Sequence, residues 1–159
     1  YDNVVHDVTE FVRYSGENMN AAHAYTIYNN TVYDADVAFE ETSDANSFAI
    51  TWTLRDNIFK MTTNQIVWKV DEFSSTTYEP TDWTSSYNYW STNLTGNFMD
   101  HETNNWNFAT AMTELSDTTS SQTDVMFVNA ALDNYYLPEG SAALTGGTGG
   151  GRVGALGTE

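Results

Sequence analysis

The sequence predicts a mainly β fold, namely an antiparallel β-sandwich or jelly-roll-like barrel with a long aromatic loop and a flexible glycine-rich C-terminal arm. Short alternations of apolar and polar residues, separated by turn residues, recur through residues 22–137. Aromatic residues make up 14% of the 159 residues, enough to build a core, and seven glycines lie in residues 145–159. We therefore expect one β domain over residues 1–144 and a glycine-rich arm or tail over residues 145–159.

The first predicted unit is a β-hairpin in residues 23–41. Apolar residues alternate with polar ones on both sides of Asn29 and Asn30. Asparagine tolerates the positive φ that a tight hairpin turn demands, so this pair predicts the turn.

Further strands are predicted downstream. Phe48, Ile50, Trp52 and Leu54 alternate with polar residues, which indicates a half-buried strand. Asp56 and Asn57 then offer a turn before a return strand at residues 58–61, and a third strand is expected around residues 66–70. The apolar run at residues 125–128 is typical of a central strand buried on both faces.

Two segments remain open between helix and strand. In residues 1–15, Val5, Val8 and Val12 lie near helical spacing, while Val4, Val8 and Val12 also fit alternation. Residues 105–115 allow a short helix with Phe108 and Met112 on one face.

The aromatic stretch at residues 81–108 contains no Lys or Arg and is rich in Ser, Thr and Asn. Its rings could stack on sugar rings, with Asn88, Asn97 and Asp100 binding hydroxyl groups. Alternatively, the stretch is a loop whose rings pack internally or against another copy, since interface cores are enriched in aromatic residues and depleted in charge. The candidate interface or ligand residues are Trp83, Tyr87, Tyr89, Trp90 and Trp106, together with Val153 and Leu156 at the apolar tip of the arm.

Two groups of oxygen ligands are candidates for a calcium site, because Ca²⁺ prefers carboxylate and amide oxygens. The first group is Asp34, Asp36 and Glu40, and the second is Asp100 and Glu102. Neither matches an EF-hand, and solvated carboxylates are the simpler interpretation. No other cofactor is expected.

The net charge of −17 argues against nucleic acid as a partner, because such a surface repels phosphate. No run of residues is long and apolar enough for a membrane span, so we expect no membrane insertion. The absence of cysteine excludes disulfides and thiolate metal sites. A start at Tyr1 would suit removal of a leader peptide during export, although a partial chain would look the same.

No nucleophile motif, phosphate-binding loop or dinucleotide fingerprint is present, so we do not expect an enzyme. In composition the chain is similar to subunits of extracellular filaments and virus particles, being acidic, free of cysteine and rich in Thr, Asn and Tyr. The leading hypothesis is a self-assembling structural subunit of an extracellular filament or virus particle, with copies of itself as partners. The alternative is a carbohydrate-binding or adhesive β-sandwich module, with glycans as partners. Both place the protein outside the cell, on a cell surface or in a virion.

Overall fold

The fold is mainly β, as predicted, but its sheets are parallel. The computed structural model describes residues 1–16, 23–43, 50–61, 68–72, 83–92, 97–101 and 104–158. These residues contain one α-helix, α1 (Phe108–Glu114), and three short 3-10 helices, Ala130–Leu132, Ala142–Leu144 and Thr148–Gly150. The strands are β1 (Val4–Gly16), β2 (His23–Tyr28), β3 (Thr31–Ser43), β4 (Ile50–Arg55), β5 (Ile58–Met61), β6 (Trp68–Glu72), β7 (Trp83–Ser86), β8 (Tyr89–Thr92), β9 (Met99–His101) and β10 (Asn104–Trp106).

In each sheet, neighbouring strands are separated along the chain by a nearly constant number of residues. In the first sheet Val4 pairs with Thr31, Thr31 with Ile58, and Ile58 with Tyr89, so the register advances by 27, 27 and 31 residues. In the second sheet β2 pairs with β4 and β4 with β7, at the same offsets. All of these pairs are parallel, and β9 with β10 is an antiparallel exception. The backbone therefore winds as a solenoid, with the strands of successive turns stacked on its faces.

The predicted antiparallel sandwich or barrel is therefore wrong. The expected hairpin in residues 23–41 is wrong as well, because β2 and β3 belong to different sheets and each pairs with a strand 27 residues further on. Asn29 does adopt a positive φ of 54°, as the sequence suggested. The turn makes a corner between two faces of the solenoid instead of reversing the chain.

Other local predictions have mixed outcomes. Residues 4–16, left open between helix and strand, form β1, and residues 108–114 form α1, whose N-cap Asn107 accepts a hydrogen bond from the Thr110 amide. Residues 125–128 form no strand, although the side chain of Val125 is buried. A local apolar run does not specify a strand when it packs on the outside of an existing sheet.

The interior of the solenoid is filled by an aromatic-rich set of side chains that we call the interior cluster. Trp52 lies in it, as its alternating strand predicted, and is 2% exposed. Trp83 and Trp90 are buried as well, on β7 and β8, so the predicted long aromatic loop is wrong for the described part of residues 81–108. The buried members are Tyr14, Val32, Ala35, Ala38, Phe39, Trp52, Leu54, Phe59, Met61, Trp83, Trp90, Phe98, Met99, Ala111 and Met112.

The glycine-rich segment is ordered against the sheet, and the prediction of a flexible arm is wrong. The Val153 amide donates to the Ala143 carbonyl (2.7 Å), and the Gly154 amide donates to the Asp56 carbonyl (2.8 Å). Gly154 has a φ of 84°, and a Cβ there would lie 2.6 Å from Cδ1 of Ile58. Glycine thus allows the segment to approach the strand surface, where side chains from both partners form an outer cluster of Ile58, Tyr89, Val125, Leu137, Ala143 and Val153.

Candidate functional site

A ladder of asparagine side chains runs along one corner of the solenoid. The backbone amides of Asn3, Asn30 and Asn57 donate to Oδ1 of Asn30, Asn57 and Asn88, at 3.0–3.1 Å. The Asn88 amide continues the series by donating to Oγ of Ser120 (2.8 Å). Each side-chain oxygen therefore accepts the backbone N–H of the ladder asparagine one turn earlier, and for the buried Asn30 and Asn57 this N–H would otherwise lack a partner.

The residue before each ladder asparagine has a left-handed backbone. Asp2, Asn29, Asp56 and Tyr87 have φ between 54° and 58°. Sequence reasoning missed this feature, although the sequence shows Asn at residues 3, 30, 57 and 88, preceded by Asp or Asn at the first three of these positions. The signal was weak because Asn is abundant in this chain and the repeat contains only two residues.

In the described ranges, no further strand or helix covers the N-terminal end of the solenoid, which we call the open end. In the part of the chain that the structure describes, β1 pairs only with β3 and β2 pairs only with β4. Apolar side chains of these two edge strands pack against the interior cluster but stay half-buried: Val8, Phe11 and Val12 on β1, and Tyr25 and Ile27 on β2. The N-terminal end thus presents the edges of β1 and β2 together with the half-buried apolar side chains between them.

The C-terminal end of the solenoid is covered. The ring of Phe98 lies 5.2 Å from that of Trp90 and 5.4 Å from that of Phe108 at the start of α1. Helix α1 adds Ala111 and Met112 to the interior cluster. Core side chains of the last strands are therefore shielded from water by later elements.

A polar pocket lies beside the ladder, at the same corner of the solenoid. Its volume is about 350 Å³, and its lining residues are Asn29, Arg55, Asp56, Thr148, Gly151 and Arg152. The Arg55 guanidinium lies 4.5 Å from the ring centroid of Tyr28, which in turn stacks on Tyr1 at 4.7 Å. Flat side chains of successive turns thus form an outward-facing column next to the pocket.

The predicted interface aromatics mostly face inward. Trp83 and Trp90 belong to the interior cluster and Tyr89 to the outer cluster, while Trp106 is partly buried against the interior cluster. Tyr87 is half-buried at its left-handed corner. Of the arm residues, Val153 is fully buried within its own chain and Leu156 is half-buried. None of these side chains forms an exposed flat platform for a sugar ring.

The predicted calcium ligands are placed differently from one another. Glu40 is buried and bonds the Arg13 guanidinium at 2.8 Å, Asp34 is half-buried, and Asp36 is exposed. Asp100 is half-buried on β9, whereas Glu102 lies outside the described residues. Among the residues that the structure describes, Asp34, Asp36 and Glu40 are not brought together as a three-ligand group. The calcium site stays a prediction.

A different group of candidate metal ligands forms near the open end. Ligand atoms of His6, Asp7 and Asp133 all lie within 4.8 Å of one another, with His6 Nδ1 2.9 Å from Asp7 Oδ2. Burial, together with the Asp133 and Asp7 carboxylates, raises the pKa of the neighbouring Tyr135 to about 12. The direct His6–Asp7 contact is sufficient to account for this group without an ion.

The Asp124 carboxylate links the C-terminal segment to the strands. Burial alone would raise the pKa of Asp124, but hydrogen bonds from Lys60 and Ser91, together with the Lys60 charge, hold it below its ordinary value. Lys60 Nζ lies 2.8 Å from Asp124 Oδ1 and also donates to the Val125 carbonyl. These contacts attach Asp124 and Val125 to β5 and β8, and this attachment explains them fully.

None of the helices in the described ranges is long and apolar enough to cross a membrane. Comparisons with protein-family models, with curated proteins and with solved structures gave no match to this chain.

Proposed function

We propose that this protein is a non-enzymatic structural subunit that assembles with copies of itself through the open N-terminal end of its solenoid. The observation that carries the proposal is the pair of edge strands, β1 and β2, around a half-buried apolar cross-section. Strand edges with free backbone donors and acceptors are templates for pairing with another chain. Burying the exposed parts of Phe11 and Ile27 would add apolar stabilisation to that pairing.

A second copy of this chain is the occupant that fits this end. Head-to-tail stacking would require an open C-terminal end, whereas α1 and Phe98 cover that end. Two N-terminal ends can instead meet around a two-fold axis, which presents the same edges and apolar side chains to each other. Such a contact closes on itself and gives a dimer, so an extracellular filament or virus particle would need a second contact between dimers.

The net charge of −17 opposes this contact, because two strongly acidic copies repel each other. Salt screens charges that are more than roughly 8 Å apart at physiological ionic strength. We therefore expect the dimer fraction to increase with NaCl concentration, which is opposite to the behaviour of an interface held by surface ion pairs.

The test is the molar mass in solution, measured by size-exclusion chromatography with light scattering over a range of protein and NaCl concentrations. We expect Val8→Lys to remain folded but monomeric, because the lysine can reach water through the open end and would be buried in the dimer. Leu115→Lys is the matched control, since Leu115 is also half-buried against the interior cluster but follows α1 at the opposite end. A strictly monomeric unsubstituted chain under all conditions, or equal dimerisation of the Val8→Lys variant, would contradict the proposal.

A further inference from the structure

We infer that the pocket between Arg55 and Arg152 is a binding site for a carboxylate, a role that goes beyond self-assembly. The chain has only five Lys and Arg residues against 22 Asp and Glu, yet two of the five line this one pocket. A cationic pocket on so acidic a protein is the local exception to a surface that repels anions.

Asp56, the one acidic side chain among the described lining residues of the pocket, is already neutralised by its neighbours. Asp56 is buried, with a side chain 4% exposed. Its Oδ1 accepts hydrogen bonds from the amide (2.7 Å) and the hydroxyl (3.0 Å) of Thr148, and its Oδ2 accepts one from Arg55 Nη1 (2.8 Å). Asp56 therefore balances the charge of Arg55 and leaves that of Arg152 for a ligand.

Arg152 has no ion-pair partner among the residues that the structure describes, in contrast to the other basic side chains described in those ranges. Arg13 pairs with Glu10 and Glu40, and Lys60 pairs with Asp124. Arg152 Nε donates to the Gly154 carbonyl (3.0 Å), which fixes the guanidinium, and within the described ranges its two terminal nitrogens remain available.

Both guanidinium groups are held in place before any ligand arrives. Arg55 is fixed by Asp56 on one edge and by the Tyr28 ring on one face, and Arg152 is fixed through its Nε. Preorganised donors lose less conformational entropy on binding. A planar guanidinium matches the two oxygens of a carboxylate in a bidentate geometry, which a lysine could not provide. The pocket volume of about 350 Å³ leaves room for a small body attached to that carboxylate.

Isothermal titration calorimetry with three probes at fixed ionic strength, in a buffer without carboxylate or phosphate, tests the inference. Glucuronate and acetate share the carboxylate, and glucose lacks it. We expect glucuronate and acetate to bind and glucose not to bind. Tighter binding of glucuronate would indicate a sugar-borne carboxylate, and equal binding would indicate a small free acid.

Substitution of the exposed Arg152 separates this site from nonspecific charge effects. Arg152→Gln should weaken carboxylate binding by about 10- to 100-fold, the effect of losing a hydrogen bond to a charged group. Arg13→Gln is the control, because it removes the same charge outside the pocket and should leave binding unchanged. Arg55→Lys keeps the charge but removes the bidentate donors, and should also weaken binding. Absence of carboxylate binding, or equal weakening by Arg13→Gln, would overturn the inference.

Discussion

At the N-terminal end of the solenoid, Phe11 and Ile27 are half-buried, whereas Trp83 and Trp90 near the C-terminal end are 5% and 2% exposed. All four side chains pack in or against the same interior cluster. The difference arises from what lies beyond them, because Phe98 and α1 cover the last strands, while β1 and β2 have no further strand beside them in the described residues. Burial in a solenoid is thus supplied by the neighbouring layer, and the layer at an open end lacks half of its neighbours.

The largest expected effect comes from removing a core ring at the covered end. Trp90→Ala should lower the free energy of unfolding by about 3–5 kcal/mol, because it deletes a fully buried aromatic side chain that stacks on Phe59 at 4.3 Å. Phe11→Ala at the open end should cost roughly half as much, since part of that ring is already in water. Urea unfolding followed by circular dichroism measures both values. Equal losses under conditions where the protein is monomeric would show that the two ends are buried alike.

The asparagine ladder provides a second comparison between the middle and the open end. In Asn57→Ala, the backbone amide of Asn30 and the carbonyl of Ile27 both lose their partner from residue 57. Each unsatisfied buried group costs about 1–3 kcal/mol, so we expect the loss of both partners to cost about 2–6 kcal/mol. Asn3→Ala, in an exposed residue at the start of the ladder, should cost less than about 1 kcal/mol.

Thermal or urea unfolding of Asn57→Ala and Asn3→Ala under identical conditions provides the measurement. Asn57→Asp adds a third variant: it keeps an acceptor oxygen for the Asn30 amide, but it replaces the donating nitrogen by an oxygen and places a carboxylate at a buried site, so it should be at least as destabilising as Asn57→Ala. An Asn3→Ala variant as unstable as Asn57→Ala would contradict the view that the ladder ends at an open corner.

The smallest expected effect concerns the ion pair between Asp124 and Lys60. The folded-state pKa of Asp124 is lowered, so this group stabilises the fold above its unfolded pKa of about 3.9 and loses that contribution as pH falls through the folded value. The Asp124 side chain is 64% exposed, and the contribution should stay below about 1 kcal/mol because solvent screens the pair.

The stability difference between the unsubstituted protein and Asp124→Asn isolates this contribution from the other acidic groups. We expect the difference to be present at pH 5–7 and to be lost as the pH falls below the unfolded pKa and through the lowered folded-state pKa of Asp124. The pH dependence of chemical unfolding for the two proteins gives this difference directly. A difference that persists at low pH would mean that the hydrogen bond from Ser91, and not the charge of Asp124, accounts for the effect.

The calcium hypothesis and the carbohydrate-binding hypothesis stay predictions. Both depended on choosing among abundant carboxylates and aromatic rings, and composition alone does not indicate which of them converge. Arg55 and Arg152, nearly one hundred residues apart, could not have been paired from the sequence, because no local pattern connects them. The sequence nevertheless shows that the chain has only five Lys and Arg residues. Because cationic side chains are so few, a pocket lined by two of them is informative.

The sequence by itself determined which residues face apolar surroundings in several strands, as Trp52 and Leu54 show, and it placed positive φ at Asn29. The alternation of apolar and polar residues in a strand shows which face of the strand is buried. It does not show which strand lies beside it, because the partner and its direction depend on residues far along the chain. A solenoid strand with one face inside alternates just as an antiparallel strand does, and so the parallel sheets were missed. Only the tertiary structure decided the 27-residue register, the role of the ladder asparagines, and the order of residues 145–158. Those glycines gain order because the strand surface supplies the hydrogen bonds and the apolar contacts that the segment cannot make alone.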